Sequence, residues 1–295
     1  MIRPIQTAMS TAGSWSSIYQ FVRRYPVLPA IVLVGLAIMA IFAPILAPLD
    51  PLDSDLSKVK APPAWIDGGT FQYFLGADGI GRDLLSRIIF GSRISMMVAG
   101  VVILTGGIVG VFLGLVAGYY GGVRDEVIMR LVDVFYAIPF ILVALVVAVV
   151  FGSSLGLVMI LLSLFSWPIF ARQTRALTLQ LKTKDYVAAA KIAGASPSRI
   201  ALRHIVPGLM NVVIVIATLQ VGNLILTESV LSFLGIGIPA PQPAWGSMIA
   251  EGRVFITSAW WIPLMPGAAV FLTVFAFNFL GDWLRDYYDP NLRQL

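Results

Sequence analysis

Cysteine is absent from the 295 residues, and histidine occurs once, at His204. The first absence excludes a disulfide framework, a thiolate metal site and a cysteine nucleophile. A lone histidine excludes multi-histidine metal sites and argues against a Ser–His–Asp triad. Charge is scarce as well. Only 12% of residues are Asp, Glu, Lys or Arg, about half the ~25% of an ordinary soluble domain. No G-x-x-x-x-G-K-[ST] phosphate loop occurs anywhere, so the chain has no such site for ATP. The expectation is a protein that does no bond chemistry of its own and holds neither cofactor nor metal.

What fills the chain instead is apolar surface. Hydrophobic residues make up 58% and mean hydropathy is +0.89. With so few charges the chain cannot cover a globular surface in water, and the composition reads as an all-α, polytopic membrane protein. A spanning helix needs roughly 20 predominantly apolar residues, and charge-free windows of that kind predict six. The first is 26–49, a retained helix rather than a signal peptide, because no apolar stretch precedes Pro26 and no cleavage site follows. The second is 94–123. The long run 134–171 supplies helices 3 and 4, broken at Gly152-Ser153-Ser154-Leu155-Gly156. The last two are 205–227 and 254–281. The intervening 229–250 is uncharged but carries Gly235, Gly237, Pro239, Pro241, Pro243 and Gly246. A lipid-exposed helix cannot leave so many backbone groups unpaired, so this segment is expected to be an external loop, in part re-entrant.

Lys and Arg placement orients the bundle. With the N-terminus inside, 14 of the 20 basic residues fall on inner segments. Five of the other six lie in the loop 50–93, beside six aspartates. Both termini are therefore expected on the cytoplasmic side. The net charge of +5 is a topology signal rather than a nucleic-acid footprint. The expected organisation is an inner tail (1–25), helix 1 (26–49), an external loop (50–93), a core with helices 2–6 (94–284) containing a cytoplasmic loop (173–204), and an inner tail (285–295).

Two local patterns stand out. Gly106, Gly110, Gly114, Gly118 and Gly122 recur every four residues, a step that drifts by only about 40° around a helix. Such a stripe admits close backbone approach, either to another helix of the same chain or to a partner subunit. The second pattern is DYVAAAKIAGASPSRIALRHIVPG, 185–208, a polar, alanine-rich interruption between apolar runs. Asp185 reads as an N-cap of the helix Tyr186–Ala193, with Gly194 as its C-terminal stop. Ser196 and Pro197 then cap and start a second helix. Ala189, Ala190 and Ala195 would let this elbow sit deep in a groove of another protein, or pack on its own bundle.

Ala189-Ala190, Gly194 and Ile205-Val206-Pro207 resemble the cytoplasmic EAA loop of permeases of ABC importers. The stretches LGADGIGRDLLSRIIFGSRIS (75–95), ESVLSFLGIGIPAPQPAWGSMI (228–249) and GDWLRDYYDPNLR (281–293) resemble the dipeptide, oligopeptide and nickel group, and within it the DppC/OppC-type subunit. Together with helix 1 they cover almost the whole chain after residue 20. One position departs from the pattern, since the family's leading glutamate falls on Ala188. The resemblance implies a type I (MetI-like) permease fold in the bacterial inner membrane. It further implies a homologous permease of DppB/OppB type beside the chain, two ATPase subunits carrying ATP and Mg, and a soluble or lipid-anchored binding protein. It implies that Asp185, Tyr186, Ala189, Ala190, Gly194, Ala195, Ser196 and Arg199 form the helix that couples to an ATPase subunit. Peptides are the implied cargo, with nickel, glutathione or another small solute as alternatives.

Other residues have local readings. Glu228 ends a charge-free run of 23 residues; it would serve an external gate or substrate path, with Ser232 one turn on, or a hydrogen bond to the loop that follows. Asp133 would pair with Arg130, and Asp83 and Arg87 would open an interfacial helix. Trp245, Trp260 and Trp261 suit an interfacial belt, and His204 suits a backbone hydrogen bond. An ion-coupled secondary transporter would place ionisable or broken-helix sites near the midplane, whereas these charges lie near helix ends. An intramembrane enzyme finds neither thiol nor buried carboxylate pair.

Overall fold

The computed structural model describes residues 26–288. The expected inner tail 1–25 lies outside the described residues, as does 289–295 of the other tail. The described residues form helices joined by turns, with no β-strand among them. In chain order the helices are α1 (Val27–Ile41), α2 (Ala43–Leu46), α3 (Leu84–Tyr120), α4 (Gly122–Ala137), α5 (Phe140–Phe151), α6 (Leu155–Leu181), α7 (Asp185–Ile192), α8 (Pro197–Ile200), α9 (Val206–Phe233), α10 (Trp245–Gly252) and α11 (Trp261–Tyr288).

Four stretches are long and apolar enough to cross a membrane: α3, α6, the continuous rod 197–233, and α11. A fifth forms if α4 and α5 count as one span bent by 76°. Helix α1 is apolar but only 15 residues long. Against the six spans expected from composition stand four long helical stretches, one bent pair and one short helix.

Several of the boundaries that differ have a local cause. The first helix stops at Ile41 rather than 49, because Pro44 lacks the N–H that would continue the ladder; the chain restarts there as α2. Helix α3 needs no separate interfacial helix before it. Its N-cap is Asp83, whose carboxylate accepts the Ser86 N–H at 2.8 Å, and it runs on for 37 residues. It ends where Gly121 and Gly122 both take positive φ, +67° and +61°, a turn that side chains resist. Gly122 thus begins α4 and lies outside the glycine stripe. Between α4 and α5, Ile138 is extended before Pro139, as a residue preceding proline prefers. Helix α6 continues to Leu181, well into the loop expected from 173.

The second elbow helix is continuous with the next span. Pro207 has no N–H to offer, and the turn before it widens into a π segment, Ala201–Ile205, closed by the Val206 N–H on the Ala201 carbonyl. Helix α9 then runs past Thr227 to Phe233. Of the expected external loop, only 234–244 is irregular; α10 follows, its Trp245, Gly246 and Met248 buried. Backbone that enters a membrane protein this way is tolerated where protein covers it. The last span starts at Trp261, later than expected, and reaches Tyr288.

Packing centres on α3 against α6. An ideal Cβ on Gly110 would lie 2.4 Å from the Trp167 carbonyl oxygen, and one on Gly114 2.4 Å from that of Ala171. Gly118 meets Thr178 and Arg175 in the same way, and Gly106 meets Ser166. The four-residue step of the stripe is thus the step of the facing helix, so the two backbones lie nearly in contact. A second cluster joins α1, the start of α3, α9, α10 and α11 through Leu36, Leu84, Ile225, Trp245 and Ile262.

Candidate functional site

The two ends of the bundle differ in chemistry. At one end lies the elbow. Helix α7 buries Val187 against Ile200, Ile205 and Leu209, with Leu177 and Leu181 of α6 behind them. Its N-cap is Lys184, so Asp185 is the first helical residue and makes no capping bond, contrary to the expected cap. The C-terminal stop falls at Gly194, φ +76°. Its N–H donates to the Lys191 carbonyl at 3.0 Å, and that of Ala195 to Ala190 at 3.0 Å, the paired bonds of a glycine-capped helix. Ser196 accepts the Arg199 N–H at 3.4 Å and starts α8.

The outward face of the elbow presents Asp185, Tyr186, Ala188, Ala189, Ile192, Ala193, Gly194, Ser196 and Arg199. Ile192 is 89% exposed. Ala190 and Ala195 instead turn half-buried toward Val187 and its neighbours, because they lie on the inward side of a short helix. The buried Nδ1 of His204 meets no partner among the described residues, so the expected backbone bond is not made by that atom. Beside the elbow, Arg175 forms a two-pronged pair with Asp125 at 2.6 and 2.7 Å. Asp133 pairs across helices with Arg172 at 2.7 Å, not with Arg130 on its own helix.

At the opposite end, a charge cluster ties the segment before α3 to α10. Asp78 accepts from Arg82 Nε at 2.7 Å and from Arg87 Nη1, while Glu251 takes Arg82 Nη2 at 2.8 Å and Arg87 Nη1 at 3.1 Å. Arg87 is 1% exposed; its partners are thus Asp78 and Glu251 rather than Asp83, as the spacing along one helix suggests. Burial pushes the Asp78 carboxyl up, but the Arg82 and Ile80 N–H groups and the two guanidinium groups outweigh it, leaving it below the usual carboxylate range. Burial pushes Asp83 up. Trp245 sits inside this end, not in a belt, with Nε1 donating to the Ile88 carbonyl at 3.0 Å.

Glu228 is 0% exposed. One carboxylate oxygen accepts from Ser232 Oγ at 2.7 Å, and that hydroxyl accepts the Ile238 N–H at 3.1 Å. Ser232 therefore links the carboxylate to the irregular loop. Gly246 brings α10 against the Ser229 backbone, where an added Cβ would lie 2.1 Å from the carbonyl oxygen. Glu228 and Ser232 thus belong to a packed junction of α9, the loop and α10.

Between the ends, the bend of α4–α5 opens a cavity of about 260 Å³ against α6 and α9. Phe135, Tyr136, Phe140 and Phe165 form its aromatic wall; Ser166, Gln220, Asn223 and Thr227 supply the polar atoms. No charged side chain lines it. Sequence reasoning missed this cavity and the Asp78–Glu251 cluster. The available signals were two carboxamides inside a charge-free run and the four-residue spacing of Asp78 and Arg82.

Residues 110–294 match the family described as binding-protein-dependent transport system inner membrane component. The dipeptide transport system permease protein DppC of Haemophilus influenzae is 42% identical over 258 residues, covering 88% of both chains. The glutathione transport system permease protein GsiD of Pectobacterium atrosepticum is 43% identical over 227 residues, covering 77% of this chain and 75% of the relative. Among solved structures, an inward-facing MetNI methionine ABC transporter aligns with a TM-score of 0.57 at 18% identity, over 70% of this chain and 98% of that one. That likeness shows the fold.

Proposed function

The chain belongs to the family of binding-protein-dependent transport system inner membrane components, and from that premise we propose that it forms, with a homologous permease, the membrane path of an ATP-driven importer for dipeptides. It is a multi-pass transport subunit of an ABC importer, not an enzyme. Two ATPase subunits holding ATP and Mg sit under the elbow end. A binding protein delivers substrate to the end that carries the Asp78–Glu251 cluster. The membrane is the bacterial inner membrane, both termini are cytoplasmic, and 94–284 is the core of the permease. Closure of the ATPase dimer moves the path only insofar as it favours one permease state over the other.

The observation that carries this reading is the exposed face of the elbow. Tyr186, Ala189, Ile192 and Ala193 present small and apolar surface at the end of the bundle rich in lysine and arginine, outside the apolar spans. Small side chains let another protein approach the helix backbone, and the glycine cap fixes the angle at which the helix meets the bundle. Ala188 stands where the family has glutamate, so docking here relies on shape and apolar contact. Glu228 and Ser232 serve the outer gate by holding the loop 234–244 and α10 in register, rather than by lining the path.

Ala189→Trp tests the docking. The indole would overfill a close contact while facing away from the chain's own core. Unchanged membrane abundance with loss of ATPase co-purification and of uptake is expected. Full uptake and co-purification would overturn the assignment. A glutathione importer is the second reading, favoured by the 43% identity to GsiD. Uptake of labelled dipeptide with unlabelled glutathione as competitor distinguishes the two.

A further inference from the structure

We propose that Gln220 and Asn223 form a carboxamide pair that binds the peptide bond of the passing solute; this rests on the peptide reading above. Both residues lie on α9 within a run of 23 residues, 205–227, that carries no charge, and both line the cavity at the α4–α5 bend. Polar side chains inside a spanning helix are costly unless they face a partner or a water-filled path. Here they face a cavity with an aromatic wall on its far side.

Their hydrogen bonding defines what they can offer. Asn223 Nδ2 donates to Gln220 Oε1 at 3.0 Å. This bond fixes the two amides relative to each other and uses one donor and one acceptor. It leaves the Gln220 NH₂ and one Asn223 N–H as donors and the Asn223 Oδ1 as acceptor. A donor beside an acceptor is the complement of a peptide bond, which presents one C=O and one N–H. Of the hydroxyls nearby, those of Thr227 and Ser166 are already engaged as donors, to the Asn223 carbonyl at 2.7 Å and to that of Ser163 at 3.1 Å. They can only accept from a solute.

The missing charge sets the selectivity. With no Asp, Glu, Lys or Arg among the lining residues, and with Arg172, which stacks on the Tyr136 ring, already paired with Asp133, the cavity offers no unpaired charge to a side chain of the solute. Phe135, Phe140 and Phe165 pack edge-to-face or tilted with centroids 5.1–5.2 Å apart, giving an apolar wall that accepts varied side chains. At about 260 Å³ the cavity is smaller than the ~300–1,000 Å³ of common ligand pockets. It suits a small solute held briefly by its backbone.

The test uses the complete transporter with its partner permease, ATPases and binding protein. Uptake of Ala-Ala, Lys-Ala and Asp-Ala is measured for the wild type and for Gln220→Leu/Asn223→Leu, with membrane abundance and subunit co-purification. A loss of about tenfold, similar for all three peptides and with an intact complex, is expected from removing a hydrogen-bonded contact. If the double variant is poorly abundant, Gln220→Met, which keeps the side-chain length, must still lower uptake. Full uptake by the variant would overturn the proposal. So would a loss confined to one side-chain charge, or loss of the partner permease from the complex, which would make the pair an interface. A wild type that takes up none of the three would instead refute the peptide reading itself.

Discussion

Adding one methyl group at Gly114 isolates the close contact that organises the bundle. An ideal Cβ there would lie 2.4 Å from the Ala171 carbonyl oxygen, 2.8 Å from Thr174 Cβ and 3.0 Å from Ala171 Cα. Non-bonded heavy atoms prefer about 3.5–4.0 Å, so α3 and α6 would have to part locally by about 1 Å. The nearest atom is backbone, and the neighbouring glycines hold the same two helices together on either side. Overpacking of this kind costs about 1–3 kcal/mol. Alanine in a helix interior returns about 0.5–1 kcal/mol relative to glycine. That gain acts alone at Gly100, also in α3, where no heavy atom lies within 4 Å of the added Cβ. Gly114→Ala is therefore expected to lose about 1 kcal/mol net, between about 0 and 2.5, and Gly100→Ala to gain slightly. Gly110→Ala should resemble Gly114→Ala. Gly106→Ala should cost less, because its closest neighbour is the Ser166 hydroxyl, which can rotate away. Thermal unfolding of the four variants in one detergent provides the ranking. Gly114→Ala as stable as Gly100→Ala would refute the close-contact account.

Asp78→Asn should destabilise the end that carries the charge cluster by about 3 kcal/mol, the low end for a broken buried pair because Glu251 still faces both arginines. The same pair predicts acid lability: Asp78 titrates lower when folded, so its contribution is complete above the ordinary carboxylate value and is lost as pH falls below about 4. Asp83, pushed up by burial, works in the opposite direction. A melting point independent of pH between 6 and 3, unchanged in Asp78→Asn, would contradict the cluster's role. Ser232→Ala leaves Glu228 and the Ile238 N–H without their shared hydroxyl and should cost about 1–3 kcal/mol; unchanged stability would mean that the junction is held otherwise. For orientation, an impermeant thiol reagent applied to intact cells should label Ser57→Cys and spare Ser198→Cys, and the reverse pattern would invert the topology.

Features governed by local chemistry were legible in the sequence. The scarcity of charge, the four-residue glycine step from Gly106 to Gly118, the stop at Gly194 and the Ser196-Pro197 start each depend on residues close along the chain. Elements whose form depends on distant partners were not. The α4–α5 bend is a different case: its cause, Pro139, is local, but counting apolar residues runs straight through it. The Gly/Pro-rich stretch after Glu228 reads as loop in lipid, but Trp245 and Met248 are covered by protein, and α10 forms. Spacing offered Asp83 to Arg87, whereas Asp78 and Glu251 supply the pairing through the fold. Ala190 and Ala189 look equivalent in sequence, and only the packing of Val187 decides which alanine faces outward.

Reconstitution of the chain into proteoliposomes with its partner permease, the ATPase subunits and the binding protein tests the central claim most directly. The measured quantity is labelled dipeptide moved per ATP hydrolysed, with each component omitted in turn. Transport that requires ATP, the binding protein and this chain together is the predicted result. Dipeptide uptake that persists without the ATPase subunits and follows an imposed ion gradient would contradict it.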